Sequence, residues 1–499
     1  MAGTTRFHLD DYRRRAEEFV ERIDREYYLH LAGHKPELEV APIYADHAGL
    51  FAEDAVGQLR ELAAQGEEEE GRRRRYLLQF AIDGLLGEAT KAEAEESARL
   101  ETTLEVAVDG RSIPYRQVQV ELANEPDGTA RAALEVERNR VLDERLNPLH
   151  REALDRVHAI CAELGWASYA DAYAELRGVD FEALAEAGRG FIGSTEEGYA
   201  PLVDPLLAEA GLPPLGELHR SDLPRFFRAP GLDRGFPAER MVPVLSETLA
   251  GLGLDLEAQG NVHLDTEQRP TKSPRAFCAP TRVPEEIYLV ISPVGGREDF
   301  EALFHEGGHT EHYANTDAGL PFEFRHLGDN GVTESFAFLL EHVTDDPHWL
   351  RSRLPAADPE AVAAQSRAVR VIFLRRYFAK LGYELELHGR DADLRGMGER
   401  YASLLSAATR VEWPTETWLA DVDEGFYVAC YLRAWALETH WWAALRERFG
   451  ERWFEQPAAG EWLRGVWSQG QRLSAEELLE STLGERLDFG RLADELGVA

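Results

Sequence analysis

The sequence predicts a mainly α-helical fold, and three observations carry that expectation. Apolar residues recur at helical spacing over long stretches, among them Tyr12 to Tyr28, Ala55 to Ala64, Glu135 to Leu164 and Val369 to Tyr383, with charged residues between them. Only two short regions alternate with the period of a strand. The 499 residues are 44% hydrophobic and 10% aromatic, enough apolar material for a large core, so the acidity of the chain is not that of a disordered segment.

In chain order, Met1 to Phe19 carries Asp10, Asp11 and Arg13-Arg14-Arg15 where an export signal would need an apolar stretch. Glu67 to Glu70 followed by Arg72 to Arg75 reads as a solvated helix face. Leu104 to Ala123 alternates, turns at Asp109-Gly110 and resumes as Arg116-Gln117-Val118-Gln119-Val120, which predicts a β-hairpin. Gly211 to Gly216 and Arg228 to Pro237 have loop composition. Arg275 to Ser292 is the second strand-like region, with Ala276-Phe277-Cys278 and Ile287 to Ile291 on either side of a Pro-bearing loop. Neither repeats nor long linkers divide the chain. A boundary near residue 265 would give an N-terminal helical lobe over 1–265 and a second lobe over 266–499, unless the chain is one continuous domain.

The chain holds 54 Lys+Arg against 91 Asp+Glu, a net charge of -37. Phosphate backbones are repelled by such a surface unless basic residues concentrate in one patch, and none do, so a nucleic-acid partner is not expected. No stretch reaches the length of apolar residues that a membrane span needs, so no membrane partner is expected either. Cys161, Cys278 and Cys430 are odd in number and far apart, which predicts no disulfide framework and a reducing, cytoplasmic location. Oligomeric state leaves no signal.

The chemistry concentrates at His305-Glu306-Gly307-Gly308-His309, an HExxH sequence followed and preceded by helical pattern, with Phe300, Leu303 and Phe304 as its apolar stripe. At i and i+4 two imidazoles lie about 6 Å apart along the axis and point to one side, so both can reach a single Zn2+. Glu306 is then placed to act as general base toward a water at the metal. Gly307 and Gly308 each cost a helix interior about 1 kcal/mol relative to Ala, which implies that something approaches this helix backbone closely. A catalytic zinc takes three protein ligands and keeps one open position. The apolar helix beginning near Thr333 offers the third in Glu334, with Asp329-Asn330 as its start signal and Gly319, Pro321 and Gly328 as breakers that let the chain reverse. Glu341, nearly two turns on, shares that face and is a candidate to orient a ligand imidazole.

These residues resemble the gluzincin oligopeptidases, the group that includes thimet oligopeptidase, oligoendopeptidase F, angiotensin-converting enzyme and carboxypeptidase Taq. Glu334 follows His309 by 25 residues, the thimet-type spacing. The approach through Ala276-Phe277-Cys278 and a strand at Ile287 to Ile291 is also similar. The resemblance implies a two-lobed helical metallopeptidase with a deep channel, a small β-sheet beside the HExxH helix, one Zn2+ per chain held by His305, His309 and Glu334, and short peptides as substrates. It further implies that the strand at Ile287 to Ile291 borders the cleft and offers its backbone to an extended peptide, with Ala276 and Phe277 as substrate-binding candidates. Gly425-Phe426-Tyr427-Val428-Ala429-Cys430-Tyr431 is similar to the tyrosine-rich segment of these peptidases. On that alignment Tyr431, with Tyr427 second, donates to the oxyanion of the tetrahedral intermediate. The relatives place a His where this chain has Asp421, which makes Asp421 a candidate substrate contact and puts substrate preference in doubt. The resemblance covers roughly residues 270–345 and 420–435.

The implied activity is hydrolysis of peptide bonds in short peptides. An alternative is a metallocarboxypeptidase of the carboxypeptidase Taq type, which needs a cation for the substrate's terminal carboxylate, with Arg325 and Arg433 as candidates. A second alternative is a catalytically silent peptide-binding relative, favoured only by Asp421.

Overall fold

The computed structural model describes residues 7–65, 68–256, 258–390 and 392–499. The chain is mainly helical with small sheets, as its periodicity predicts. It divides into two compact units, and neither is a sequential half: one comprises Met1–Leu85, Leu232–Ala363 and Arg433–Leu487, the other Leu86–Gly231, Ala364–Leu432 and Asp488–Ala499. A boundary at residue 265 is therefore corrected. It would sever Val262–Asp265 from its sheet partner Glu286–Val290, and both strands belong to the first unit. No described helix is long and apolar enough to cross a membrane.

The first unit is built on a core that includes Phe300, Leu303, Phe304, Phe336, Leu339, Trp349, Trp441, Trp453 and Trp467, all buried. Each such aromatic contributes about 1.5–3 kcal/mol by leaving water, so the two helices that supply the first five are held by apolar contact along their inner faces. Its sheet has three strands in the order Val262–Asp265, Glu286–Val290, Phe277–Arg282. The central strand runs parallel to the first and antiparallel to the last, with Cys278 opposite Leu289. Ile287 to Ile291 is thus the interior of the sheet. Its backbone bonds on both sides, so the strand that can border a cleft is Phe277–Arg282, where Pro280 sits at an irregularity in the pairing.

The second unit contains the predicted hairpin in shortened form. Asp109 and Gly110 adopt positive φ of 50° and 75°, which suits a two-residue hairpin turn, and they fix the register Val108 opposite Arg111 and Glu105 opposite Pro114. Pro114 falls at a pair that makes no cross-strand bond, and the ladder reaches one step further, to the Tyr115 N–H on the Leu104 carbonyl at 2.9 Å. Arg116 to Val120, expected as strand, instead enters the helix Val118–Asn124, which buries Val118 and Leu122 at i and i+4. The continuous pattern over Glu135 to Leu164 is two helices, Gly128–Arg145 and Asn147–Glu163, broken where Pro148 follows Asn147.

The Arg72 to Arg75 run is not a solvated face. Arg72 bonds the Arg472 carbonyl at 2.9 Å and Glu477 at 2.5 Å, Arg73 reaches Glu323 at 3.2 Å, and Arg74 bonds the Leu62 carbonyl at 3.1 Å. Of the flanking acids, Glu67 lies outside the described residues, as do Met1 to Arg6 at the start of the chain. The three cysteines are free thiols.

Candidate metal centre

The HExxH segment lies within the helix Arg297–Ala314, as the pattern requires. Asp299 in its first turn accepts the backbone N–H groups of Val294 and Gly295, both at 2.9 Å, and so closes the entering loop onto the helix start. The opposing helix, Asn330–Val343, is capped by Asp329, whose side chain accepts from Gly331 at 2.9 Å. Asp329 is itself clamped by Arg433 at 2.6 and 3.1 Å and by the Ala475 N–H at 3.0 Å. The close approach implied by the paired glycines occurs at Gly308: a Cβ there would meet the Phe336 carbonyl oxygen at 2.3 Å and Ala337 Cα at 2.6 Å. Gly307 faces only the tip of Leu245, at 3.3 Å.

This contact sets Glu334 against the two histidines. The Nε2 atoms of His305 and His309 stand 3.5 and 3.6 Å from one Glu334 carboxylate oxygen, and the three potential ligand atoms lie within 4.8 Å of one another. A tetrahedron with metal–ligand bonds of 2.0–2.1 Å has edges of about 3.4 Å, so the two histidine–carboxylate spacings suit one metal ion with a fourth position left over. The far ring nitrogens are engaged as a ligating imidazole requires: His305 Nδ1 meets Glu341 at 2.7 Å, and His309 Nδ1 meets Thr333 Oγ1 at 2.9 Å. Burial disfavours a charge on His305, but Glu334 and Glu341 outweigh it and raise its pKa well above the ordinary value. Burial would likewise raise Glu334, and His309 and His305 pull it well below the usual carboxylate range. The donor set of two imidazoles and one carboxylate is one that zinc accepts.

Glu306 points beside this triad, where its carboxylate accepts the backbone N–H of Cys278 at 2.8 Å. That donor belongs to the edge strand. Ala276 lies just before this strand, and N–H groups alternate within it, so Phe277, next to Cys278, directs its backbone toward Val290 in the sheet. Of the two residues expected at the substrate, Phe277 therefore spends its backbone inside the sheet and its ring in a cluster with Tyr28, Ala279 and Val290. Burial pushes the Cys278 thiol far up, so it stays protonated and is neither nucleophile nor ligand.

Arg325 and Asp421 are committed elsewhere. All three guanidinium nitrogens of Arg325 are used, on the Leu320 carbonyl at 3.0 Å, the Val283 carbonyl and Glu17 at 2.5 Å. Asp421 gives one oxygen to Arg376 and the other to the Tyr401 hydroxyl at 2.6 Å. Neither is free for a substrate, which corrects the expectation for both. Tyr427 and Tyr431 belong to the second unit, where the Tyr431 ring meets Tyr427 edge-on at 5.0 Å and Tyr377 at 5.8 Å.

Sequence reasoning missed the roles of Thr333, Tyr313 and Cys278. Tyr313 carried a usable signal, because it continues the i, i+4 face of His305 and His309; its ring stacks on His309 at 6.4 Å between centroids. Thr333 adjoins Glu334 and could have been asked for. No protein-family model matches this chain, and no curated protein matches it significantly.

Proposed function

We propose that the protein is a zinc-dependent peptidase that hydrolyses peptide bonds in short peptides. The observation that carries this reading is the convergence of His305, His309 and Glu334 beside a Glu306 carboxylate held by an edge-strand N–H. The resemblance to gluzincin oligopeptidases supports it through the same residues. His305, His309 and Glu334 would hold one Zn2+, which supplies Lewis acidity toward the scissile carbonyl and toward water.

The chain's own residues do the rest. Glu306 accepts a proton from the attacking water and returns it to the leaving amine, a task that needs a carboxylate beside the open position. Glu341 and Thr333 hold the imidazoles in the tautomer that turns Nε2 inward. The outward N–H of Cys278 lies next to the base, so an extended substrate laid along Phe277–Arg282 brings its own backbone to Glu306. Arg325 and Arg433, the cations that a carboxypeptidase would use, are both spent on internal partners, which favours cleavage within the peptide. Cysteines that form no disulfide fit a cytoplasmic setting.

The test is cleavage of a quenched peptide by zinc-loaded protein and by Glu306→Gln. The variant should lose activity by at least about a hundredfold while binding one zinc per chain as before. Cleavage at the wild-type rate by Glu306→Gln would sink the mechanism.

A further inference from the structure

One turn back from Glu334, at the start of the helix Asn330–Val343, the first unit holds a cavity of about 320 Å³. Asn330 lines it, and Asn330, Glu334 and Glu341 fall on one stripe of that helix, so the cavity begins about 6 Å along the axis from Glu334. Its aromatic wall is assembled from Phe19 on the helix Leu9–Leu31, from Tyr44 and Phe51 further along the chain, and from Tyr76 and Phe80 on the helix Glu68–Thr103. Phe19 meets Tyr44 at 5.0 Å, Phe51 at 5.0 Å and Phe80 at 5.8 Å between centroids, all edge to face. Phe51 lies so close to Gly84 that any Cβ there would run into its ring. Phe19 and Phe51 are buried, whereas Tyr44 and Phe80 are half-buried and keep ring surface for an occupant.

Three polar groups of this lining have no partner. Tyr76 is only 4% exposed, yet its hydroxyl makes no hydrogen bond among the described residues. Neither ring nitrogen of His326 is bonded there either, nor is the amide nitrogen of Asn330, whose oxygen accepts from Gln471 at 3.2 Å. Burial, with Arg325 beside it, lowers the His326 pKa to about 3, so its ring stays neutral. Among the described residues no Lys or Arg lines the cavity, and its one carboxylate, Asp83, is exposed and accepts from Gln79 at 3.5 Å. An anion would find no counter-charge here. Buried polar groups without partners are costly until a ligand or water completes them, and aromatic walls with a few convergent polar groups are the usual build of a binding pocket.

We propose that this cavity is a specificity pocket for an aromatic side chain with a polar tip, a tyrosine of the peptide, whose ring lies against Tyr44 and Phe80 and whose hydroxyl meets Tyr76. The inference rests on the peptidase reading for its substrate and on the cavity for its selectivity. Burial of the ring is worth about 10- to 100-fold over Ala, and one hydrogen bond to the phenol about fivefold over Phe.

The experiment uses zinc-loaded wild type, Tyr76→Phe and Gln79→Trp with quenched peptides in which one position at a time carries Tyr, Phe, Ala, Lys or Glu, the cut being located by mass spectrometry. Wild type should favour Tyr over Ala by about 10- to 100-fold in kcat/KM at one position within about three residues of the cut. Tyr76→Phe should bring the Tyr-to-Phe ratio to about one, and Gln79→Trp, which places an indole at the rim, should bring the Tyr-to-Ala ratio to about one. Ratios between peptides do not depend on how much of a variant folds. The absence of a Tyr preference in wild type, a preference for Lys or Glu at that position, or an unchanged ratio in either variant overturns the proposal. If wild type cleaves none of the peptides, the peptidase reading fails, and the pocket is then judged by equilibrium binding of N-acetyl-tyrosinamide, which should weaken at least about fivefold in both variants; equal affinity in all three proteins overturns the pocket as well.

Discussion

Replacing Gly308 by Ala tests whether the metal centre depends on direct backbone contact between its two helices. The added Cβ would lie 2.3 Å from the Phe336 carbonyl oxygen, 2.6 Å from Ala337 Cα and 2.8 Å from Ala337 N. All three are backbone atoms of the helix that carries Glu334, so no side-chain rotation relieves them. Ordinary contact begins near 3.5 Å, and the helices must part by about 1 Å. The His305 and His309 spacings to Glu334, now 3.5 and 3.6 Å, would open to about 4.5 Å, beyond the edge of a zinc tetrahedron.

Overpacking of this kind costs about 1–3 kcal/mol, against which Ala returns about 1 kcal/mol of helix propensity. Gly308→Ala should therefore lose up to about 2 kcal/mol in urea denaturation and bind zinc at least about tenfold more weakly in competition with a chelator. Gly307→Ala is the control one residue away. Its Cβ meets only Leu245 side-chain carbons at 3.3 and 3.7 Å, which can yield, so it should keep zinc affinity and gain up to about 1 kcal/mol. Equal stability and equal zinc affinity in the two variants would refute the argument that the glycine pair exists for helix approach.

Glu341→Gln keeps the shape of the His305 partner and removes its charge. The side chain is 26% exposed, so the fold should persist while zinc affinity falls by about 10- to 100-fold in the same chelator assay. Glu384 in the second unit gives a pH test. It is fully buried, and burial, opposed by Lys380, raises its pKa from 4.5 to about 8. The folded state thus holds this proton more tightly than the unfolded chain does, so its contribution is complete below pH 4.5 and is lost as pH rises through about 8. Glu384→Gln keeps an acceptor for the Asp423 N–H and should flatten denaturation stability between those pH values, by no more than about 5 kcal/mol in all.

How much the sequence made legible follows from the range over which each interaction acts. His305, Glu306 and His309 are neighbours on one helix, so spacing alone placed them on one face. Glu334 and Glu341 needed the chain to reverse, which Gly319, Pro321 and Gly328 announced. The edge strand was assigned to the wrong segment because alternation marks a strand without saying which neighbours it has: Ile287 to Ile291 has the stronger apolar run for the reason that it is buried between two strands. The hairpin's second arm ended at Tyr115, after which Val118 and Leu122 satisfy helical spacing and bury one helix face instead. Domain limits were illegible at residue 265, since the units exchange segments within long helices such as Glu68–Thr103 and Tyr427–Phe449 and leave no linker composition to read.

The acidity of the chain also acquires a structural sense once its buried members are placed. Asp329 is met by Arg433, Asp421 by Arg376, Asp222 by Arg131 at 2.6 Å, and Glu323 by Arg13 and Arg73 at 2.6 and 3.2 Å. Arginine suits these places because its planar fork gives several hydrogen bonds to a carboxylate and stays charged when desolvated. Arginines drawn inward in this way are unavailable to balance the surface, which is where the excess of acid accumulates and where it repels polyanions. Glu311 departs from this pattern: it is fully buried and is met by the neutral amides of Gln259 and Asn315 at 3.0 and 3.1 Å. A surface already negative would draw a cationic peptide toward the protein from beyond contact range. Raising salt from about 0.05 to about 0.5 M should therefore slow capture of Lys peptides while leaving matched norleucine peptides nearly unchanged, and an equal response of the two would refute steering by the surface charge.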